Sequence, residues 1–535
     1  MTSKNVISIV LNCHLPYINH SDISFHRDEM PLFQSISDTY IPFLQMLDRL
    51  DADRLPFRVS IVLSSTLAAM LTNKNLIDKY LRYVDKQIAF GETELERTKN
   101  KHNKALWKLA RYYLDSIREK KIVFIERYEK NIVDVLNYYR EKGRIEILAT
   151  MAAHNFIPFY INYPETIQAQ IEASLSEYKR HLGVNPAGFW LPELGYAKNI
   201  DGFLRMYNLN YTIIDTHTAF LADPPAQTGS FYPLRAPAGT LLLVRDYYAH
   251  KEVQGAPDVL SREAAYCDYF EDISYKLDSD SIKDFFDSDG IRCPSGYRYL
   301  KVGDKDNVYN VAAAHQLAKK QARQFLRRRI TALTKARSLI KREPVSLCSW
   351  DADFLGRFWQ EGFVFLETFI RQGIEKDGLM FSTPSEYLCR QDSSEFQTIA
   401  PDFSSAGING YGESYLDKSN DWIYRHIFHA IERMIELAQR FNDDSGLLNR
   451  ALNQAAREVL LAQASDFVRF KRMWPEGDTV WDEEALITHL RNFTTLYESL
   501  GGDYLSTKLL THFENSNKIF HNINYHFFKR GQCPF

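Results

Sequence analysis

Short runs of apolar residues recur along the first two thirds of the chain, and each run ends in polar residues. Strands that are covered on both faces of a parallel sheet show such continuous apolar runs. Helix-patterned segments lie between most of the runs, which predicts a parallel α/β architecture. The predicted strands are VISIVLNCHLP (6–16), FRVSIVLSS (57–65), RIEILATMAAH (144–154), GFWLPELGY (188–196), YTIIDTHTA (211–219), TLLLVRD (240–246) and VSLCSWDADF (345–354).

The number of these runs favours a closed or nearly closed barrel over an open sheet. In barrels of parallel strands and helices, the chemistry takes place at the carboxyl ends of the strands. The polar residues that terminate the runs are therefore the first candidates for a functional site.

Two regions of the chain depart from this alternation. Residues 73–133 are charged and helix-patterned, which predicts a helical insertion after the second strand. The stretch PDFSSAGINGYG (401–412) has the Pro, Ser and Gly content of a linker, and the chain beyond it is helix-patterned. We therefore predict a barrel domain over residues 1–400, which includes the insertion, and a helical C-terminal domain over residues 401–535.

Composition narrows the possible classes of function. The chain has 65 Lys and Arg against 68 Asp and Glu, a formal net charge of −3, so it lacks the basic excess that a nucleic-acid backbone attracts. Its 45% apolar and 25% charged residues are typical of a folded globular protein and exclude disorder as the dominant character. Aromatic residues make up 13% of the chain, a content that suits either a site for sugar rings or a large core.

The cysteines and the N-terminus predict a cytoplasmic protein. There is no CxxC pair, so neither a zinc ribbon nor a disulfide framework is expected. The first residues enter a strand-like run without the features of a signal peptide. No apolar run approaches the roughly 18 residues that span a membrane. The scattered cysteines are Cys13, Cys267, Cys293, Cys348, Cys389 and Cys533.

Carboxylates end two of the predicted strands. Glu193 follows Trp-Leu-Pro in the fourth run, and Asp351 and Asp353 lie at the end of the seventh. The alternative role for each is to cap a helix, since carboxylates are favoured at helix N-termini. Two carboxylates from two strand ends suit glycosidic bond chemistry, in which one protonates the leaving oxygen and the other attacks the anomeric carbon.

Histidines end two further runs. His14 and His154 could hydrogen-bond to sugar hydroxyls, and the alternative for each is a structural histidine. A divalent metal held by Asp351, Asp353 and His14 is another alternative. Such a metal would instead favour deacetylase-like or mannosidase-like chemistry on a related barrel.

Six segments form one ordered set: HLPYI (14–18), GRIEILATMAAHNFIP (143–158), GFWLPELGY (188–196), WDADFLGRFWQEG (350–362), TPSEYL (383–388) and NDWIYRHI (420–427). Together they span nearly the whole chain and resemble glycoside hydrolase family 57, an α-glucan-active family, and within it the 1,4-α-glucan branching enzymes. The resemblance implies an incomplete (β/α)7 barrel with a helical insertion and a helical C-terminal domain. It also implies a retaining mechanism with no metal or organic cofactor.

The resemblance also assigns roles to individual residues. By position, Glu193 is the nucleophile and Asp351 is the general acid/base. The positions that line the donor side of the cleft carry His14, His154, Trp190 and Trp422. We further assign to substrate binding Arg245, Asp353, Arg357, Trp359 and Tyr415.

The chain departs from the family pattern mainly on the acceptor side. Branching members usually carry Glu at Asp353 and His at Arg357, and the larger, permanently charged Arg357 could pair with Asp353. A Tyr is expected at Thr228, and a Trp is expected at Gln254 and at Tyr415. Loss of aromatic surface at these positions would weaken stacking of an acceptor glucan.

We predict an enzyme that acts on α-1,4-glucans by double displacement and is closest to a branching enzyme. Its expected partner is glycogen, amylose or a maltooligosaccharide, and neither nucleic acid nor membrane is an expected partner. The first alternative is a 4-α-glucanotransferase or an α-amylase-type hydrolase. The second is a catalytically silent glucan-binding protein on the same fold.

Overall fold

All the strands predicted from the apolar runs are present. A computed structural model of the protein describes residues 4–100, 103–255, 259–442, 445–468, 483–502 and 505–531. Within these residues the strands are β1 (Asn5–Cys13), β2 (Val59–Leu63), β3 (Ile145–Leu148), β4 (Gly188–Phe189), β5 (Tyr211–Ile214), β6 (Leu234–Arg235), β7 (Leu241–Val244), β8 (Leu300–Lys301), β9 (Asp304–Val308), β10 (Val345–Asp351), β11 (Leu379–Phe381) and β12 (Gln397–Thr398). The seven predicted runs contain β1 to β5, β7 and β10, whereas the remaining strands are short and lack a long apolar run.

Most of these strands belong to two sheets of five strands each. In the first sheet β10, β1, β2 and β3 lie in that order, and β11 also pairs with β1. The order in the second sheet is β12, β6, β7, β5 and β4. Within both sheets every pair is parallel except β6 with β7. The coarse prediction of a parallel α/β architecture is therefore confirmed.

Two parallel bridges join the sheets edge to edge. Ala149, directly after β3, pairs with Phe189 of β4, and Arg245, directly after β7, pairs with Leu347 of β10. The seven predicted strands therefore follow one another in a circuit, β10-β1-β2-β3-β4-β5-β7 and back to β10. Because neighbours in this circuit are parallel, their carboxyl ends lie at the same end of the circuit.

Helices lie between the strands and after them. The basic segment 319–337 lies within the helix Val311–Ile340, in which Phe325, Leu326 and Leu333 are buried. The described helices are α1 (Met30–Ser35), α2 (Ile41–Ala52), α3 (Ser65–Leu71), α4 (Lys74–Asn100), α5 (Lys104–Ile122), α6 (Ile132–Glu141), α7 (Pro164–Leu182), α8 (Ile200–Met206), α9 (Thr216–Phe220), α10 (Tyr247–Val253), α11 (Val311–Ile340), α12 (Ala352–Leu355), α13 (Gly362–Ile374), α14 (Pro384–Arg390), α15 (Asp421–Arg440), α16 (Gly446–Leu461), α17 (Glu483–Gly501) and α18 (Thr507–Ser516).

The segment predicted as an insertion is helical and follows the second strand. It consists mainly of α4 and α5, which pack against each other. Asn103 caps α5, since its side chain accepts hydrogen bonds from the backbone N–H groups of Ala105 and Leu106. A π-helical turn, Ile36–Tyr40, lies between α1 and α2.

The C-terminal helices reach the strand ends of the barrel region. The described helices α15 to α18 pack around apolar residues such as Ile427, Ile431 and Met434. Just after α16, Ala464 pairs with Asn155, and the Ser465 hydroxyl donates to the carbonyl oxygen of His154 at 2.7 Å. These contacts hold the C-terminal helices beside the loop that follows β3.

No described helix combines the length and apolar character that crossing a membrane requires. The described cysteines are free thiols, and Cys533 lies outside the described residues. The cytoplasmic location stays a prediction from the sequence.

Candidate active site

The turn after β4 presents Glu193 in a strained backbone conformation. Glu193 has φ +56° and Leu194 has φ +51°, the left-handed region that residues with a side chain rarely adopt. The backbone N–H of Ala406 holds the turn by donating to the Glu193 carbonyl oxygen at 2.7 Å. A Cβ at Gly195 would lie 2.8 Å from the Phe156 ring, so this close approach requires glycine. Strain of this kind clusters at functional sites, and the Glu193 side chain stays partly exposed.

Amide groups hold both carboxylate oxygens of Asp351. Asn12 Nδ2 donates to Oδ1 at 3.0 Å, and Gln254 Nε2 donates to Oδ2. The backbone N–H of Asp351 in turn donates to Gln254 Oε1 at 2.9 Å. Because only the oxygen of an amide can accept from this N–H, the orientation of the Gln254 amide follows from the contact. Asp351 is therefore fixed in place at the end of β10.

Glu193 and Asp351 lie at the same end of the strand circuit. Between β4 and β10 there are two strands in one direction, β5 and β7, and three in the other, β1 to β3. The two carboxylates therefore come from opposite sides of the circuit. Chemistry that uses two carboxylates on one sugar needs both groups to face the same glycosidic bond.

A stacked pair of histidines lies beside these strand ends. The rings of His14 and His154 lie 3.7 Å apart at an interplanar angle of 11°. His14 Nε2 lies 3.0 Å from Asp466 Oδ2, and Asp466 belongs to the segment that follows α16. His154 is buried and has a left-handed backbone, φ +55°. The structure thus places the rings of the two predicted histidines in contact and adds a carboxylate from the C-terminal region beside His14.

The ligand atoms of His14, His154 and Asp466 lie within 4.8 Å of one another, close enough to approach one metal ion. The two stacked rings are parallel, however, so their ring nitrogens do not converge on a common point. This geometry favours hydrogen bonding to a ligand over metal coordination. In the part of the chain that the structure describes, Asp351, Asp353 and His14 do not form a candidate metal group.

Arg245 and Asp215 form a buried ion pair at the ends of β7 and β5. The Arg245 guanidinium donates to Asp215 Oδ2, and both side chains are less than a tenth exposed. Burial, and secondarily the charge of Arg245, lowers the pKa of the nearby His250 to about 4. Arg245 was predicted to bind substrate, and its guanidinium is engaged with a protein carboxylate; the substrate contact stays a prediction.

Comparison with known protein families shows which family this chain belongs to. The family model described as glycosyl hydrolase family 57 matches residues 8–399, and the model for the C-terminal region of 1,4-alpha-glucan branching enzymes matches residues 426–528. The chain belongs to glycosyl hydrolase family 57. The resemblance of its motifs to this family is thereby confirmed.

Relatives of this family 57 chain match it along most of its length. The 1,4-alpha-glucan branching enzyme TK1436 of Thermococcus kodakarensis is 24% identical over 491 residues, which are 87% of this chain and 69% of the relative. A crystal structure described as the novel alpha-amylase AmyC from Thermotoga maritima is 31% identical, with a TM-score of 0.91 over 99% of this chain and all of the other. The GH57-type branching enzyme from Pyrococcus horikoshii is 20% identical and has the same fold, with a TM-score of 0.87 over 99% of this chain and 98% of the other.

Asp353 and Arg357, which both depart from the family 57 pattern, form a buried cluster behind the strand ends. Arg357 Nε lies 3.3 Å from Asp353 Oδ2, so the suggested pairing of these residues is confirmed. Ser35 and Thr39 donate to the two Asp353 oxygens at 2.8 and 3.0 Å. Burial raises the pKa of Asp353, and the charge of Arg357 opposes this shift. Three protein groups therefore contact the Asp353 carboxylate, and its assignment to substrate binding stays untested.

The four predicted aromatic residues differ sharply in exposure. Trp422, at the start of α15, is 41% exposed and offers a surface for stacking. Trp190 is 6% exposed, and its indole N–H has no partner among the described residues. Trp359 is 1% exposed and packs against Tyr266 and other core rings. Tyr415 is also 1% exposed and stacks on Phe156 at 4.7 Å. For Trp359 and Tyr415, this packing favours a role in the core.

Three residues of this family 57 site were not predicted from the sequence. Asn12 lies at the end of β1, so the rule that selected other strand-end residues could have found it. Asp215 follows β5 and could have been found in the same way. Asp466 lies in the C-terminal region, and no sequence signal connects it with His14.

Proposed function

We propose that this protein is a retaining transglycosylase that acts on α-1,4-glucans and forms branches. Glu193 attacks the anomeric carbon and forms a glycosyl-enzyme, while Asp351 protonates the leaving sugar oxygen. Asp351 then removes the proton from an acceptor hydroxyl, which attacks the same carbon. In a retaining enzyme the two carboxyl groups are expected at about 5–5.5 Å from each other.

The observation that carries this proposal is the position of Glu193 and Asp351 at one end of the strand circuit, on opposite sides. The strained turn at Glu193 and the amide contacts of Asp351 support it, because catalysis depends on groups held in place before substrate arrives. Asn12 and Gln254 orient the Asp351 carboxyl without competing for a proton, since an amide nitrogen only donates.

We further propose that the strand circuit is the incomplete (β/α)7 barrel that the resemblance implies. Residues 1–400, with the insertion 73–133, would form the catalytic domain, and residues 401–535 the helical C-terminal domain. The separate matches of two family models, to residues 8–399 and 426–528, support this division.

We propose branching, rather than another reaction on α-1,4-glucans, because of the C-terminal region and the relatives of this chain. Residues 426–528 match the model for the C-terminal region of branching enzymes, and Asp466 from this region contacts His14. Two relatives that match most of this chain are branching enzymes. The donor glucan would lie along the stacked His14 and His154, beside Trp190 and toward the exposed Trp422.

Hydrolysis is the second candidate, in which water replaces the acceptor glucan. Thr228 and Gln254 stand where the family pattern has aromatic residues, so the acceptor side offers less surface for stacking a sugar ring. The relative AmyC, which is 31% identical over the whole of its length, is described as an α-amylase.

Incubation with amylose followed by product analysis distinguishes these functions. The anomeric proton NMR signal of α-1,6 linkages should appear while the number of reducing ends stays nearly constant. Reducing ends without new linkages would instead support hydrolysis, and redistributed linear chains would support a 4-α-glucanotransferase. Glu193→Gln should lose at least about 10³-fold in turnover while keeping its fold. The exposed Glu141→Gln is the matched control, and turnover by Glu193→Gln at the parent rate would contradict the assignment.

A further inference from the structure

Two exposed tyrosines begin the helix that leads to the proposed acid/base. Tyr247 and Tyr248 are the first residues of α10, which follows β7 after Arg245 and Asp246. They are 44% and 67% exposed, and their rings meet edge to face with centroids 5.5 Å apart. Adjoining aromatic rings that stay open to solvent are typical of a binding surface, because the ring offers apolar area and the hydroxyl stays wet.

The outer face of α10 is fixed against α11. Arg329 of α11 donates to both carboxylate oxygens of Asp246 at 2.8 Å and to Glu252 at 3.1 Å. Ala249 lies on the same face and is fully buried. Each residue of an α-helix is turned by about 100° from the one before it, so Tyr247 lies on the face opposite to this contact. The packing of α10 on α11 therefore turns Tyr247 away from the core.

The same helix contacts the end of β10. His250 Nδ1 lies 3.3 Å from the carbonyl oxygen of Ser349, and Gln254 donates to the Asp351 carboxylate. The backbone N–H of Gln254 still donates to the carbonyl oxygen of His250 at 2.8 Å, so the helical turn continues to Gln254. Tyr247, His250 and Gln254 have the spacing that places side chains in one row along a helix. This row runs from Tyr247 to the proposed acid/base over roughly 10 Å.

The side of the site next to Asp351 receives a defined part of the glucan. In the proposed mechanism Asp351 protonates the oxygen of the leaving sugar and later takes a proton from the acceptor, so both occupy its side of the reacting bond. Aromatic rings at this place would stack on the C–H faces of those sugars. We propose that Tyr247 and Tyr248 form the stacking surface for the leaving glucan and for the acceptor that replaces it.

This inference rests on the proposed function for the identity of the ligand, and it bears on two departures from the family pattern. Thr228 and Gln254 lack the aromatic rings that the pattern has at their positions. The tyrosine pair supplies such a surface from the first turn of α10 instead. An acceptor glucan held there competes with water for the glycosyl-enzyme, so the pair favours transfer over hydrolysis.

The test compares binding with and without the two rings in the Glu193→Gln background. Calorimetry with maltoheptaose should show about 10-fold weaker affinity for Tyr247→Ala/Tyr248→Ala, and an affinity within about twofold of the reference for Tyr247→Phe/Tyr248→Phe, which keeps both rings. Because this binding requires no proton transfer, a displaced Asp351 would not explain the loss. An unchanged affinity of the alanine pair would overturn the proposal.

Tyr138→Ala is the matched control for the loss of an exposed ring. Tyr138 is 50% exposed on α6, which ends just before β3 begins and therefore lies toward the amino ends of the strands. This variant should bind maltoheptaose as the reference does. A loss of affinity equal to that of the alanine pair would show a general effect of removing surface rings and would also overturn the proposal.

A second measurement, with Glu193 intact, identifies the side of the site. The leaving group of α-maltosyl fluoride is a fluoride ion, so the side next to Asp351 holds no sugar while the glycosyl-enzyme forms. The alanine pair should keep kcat/KM for fluoride release and lose about 10-fold in kcat/KM for maltoheptaose. An equal loss on both substrates would place the tyrosines on the donor side and overturn the proposal.

Failure of the proposed function gives a different result. A protein with Glu193 intact that releases no fluoride and does not act on maltoheptaose would contradict the proposed function, and the calorimetric comparison would still decide the role of the tyrosines. Absence of maltoheptaose binding by the Glu193→Gln reference itself would overturn both.

Discussion

Gln254 and Asp351 are joined by two hydrogen bonds, one from the amide nitrogen of Gln254 to the carboxylate and one from the backbone N–H of Asp351 to the amide oxygen. The family pattern has an aromatic residue at this position. Gln254 therefore offers no aromatic surface for stacking a sugar, and instead it orients Asp351, the proposed acid/base.

We predict that Gln254→Leu lowers kcat by about 10- to 100-fold, because a small displacement of a catalytic group costs rate in this range. KM for maltooligosaccharides should change much less, since the leucine removes no predicted donor-side contact. Steady-state kinetics separate the two effects. Lys251→Gln, an exposed change on the helix α10 that ends just before Gln254, is the control. A parent-like kcat in Gln254→Leu would show that Asn12 alone suffices to position Asp351.

Asp466 should influence the site through His14. Removal of its carboxylate in Asp466→Ala leaves the His14 ring without the contact at 3.0 Å, and kcat/KM should fall about 10-fold. Asp466→Asn retains an acceptor oxygen and should lose less. If both variants lose the same activity, the contact does not orient His14, and the role of Asp466 is structural.

The buried carboxyl group of Glu361 should make the stability of the protein depend on pH. Burial raises its pKa from an ordinary value of about 4.5 to about 7, although the Tyr309 hydroxyl donates to it at 2.5 Å. Between these values the folded protein keeps a proton that the unfolded chain has lost, so the free energy of unfolding falls as pH rises. Above pH 7, where Glu361 is charged in the folded protein as well, the free energy of unfolding is about 3 kcal/mol lower than near pH 4.

Glu361→Gln removes this titration and keeps an oxygen for Tyr309. We expect the variant to match the parent near pH 4 and to be about 3 kcal/mol more stable at pH 8, as measured by urea unfolding. The exposed Glu375→Gln is the control and should follow the parent at every pH. A difference between Glu361→Gln and the parent that does not vary with pH would contradict this account.

Two tryptophans predicted to bind substrate should respond differently to truncation. Trp422→Ala removes an exposed ring and should raise KM for a long glucan several-fold with less than about 0.5 kcal/mol of change in stability. Trp359→Ala opens a hole in the core and should destabilise the protein by about 3–5 kcal/mol. Thermal unfolding and glucan kinetics on both variants check this. A stable Trp359→Ala protein with a raised KM would restore its assignment to the cleft.

The sequence by itself determined the strands, the residues at their ends and the family. Parallel strands covered on both faces need long apolar runs, and this local pattern survives without any knowledge of tertiary contacts. Glu193, Asp351, His14 and His154 were found because polar residues that interrupt such runs stand out. The short strands β6 and β11 carry too few residues to leave a pattern of their own.

Only the tertiary structure decided which side chains meet at those strand ends. Gln254 and Asp351 are 97 residues apart, and His14 and Asp466 are 452 residues apart. Neither separation along the chain produces a periodic pattern in the sequence, because such contacts depend on how whole helices and strands pack. The same packing buries Trp359 and leaves Trp422 exposed, although both lie in segments that resemble the family. Residue type and spacing specify which groups are available for chemistry, and long-range packing specifies which of them face one another.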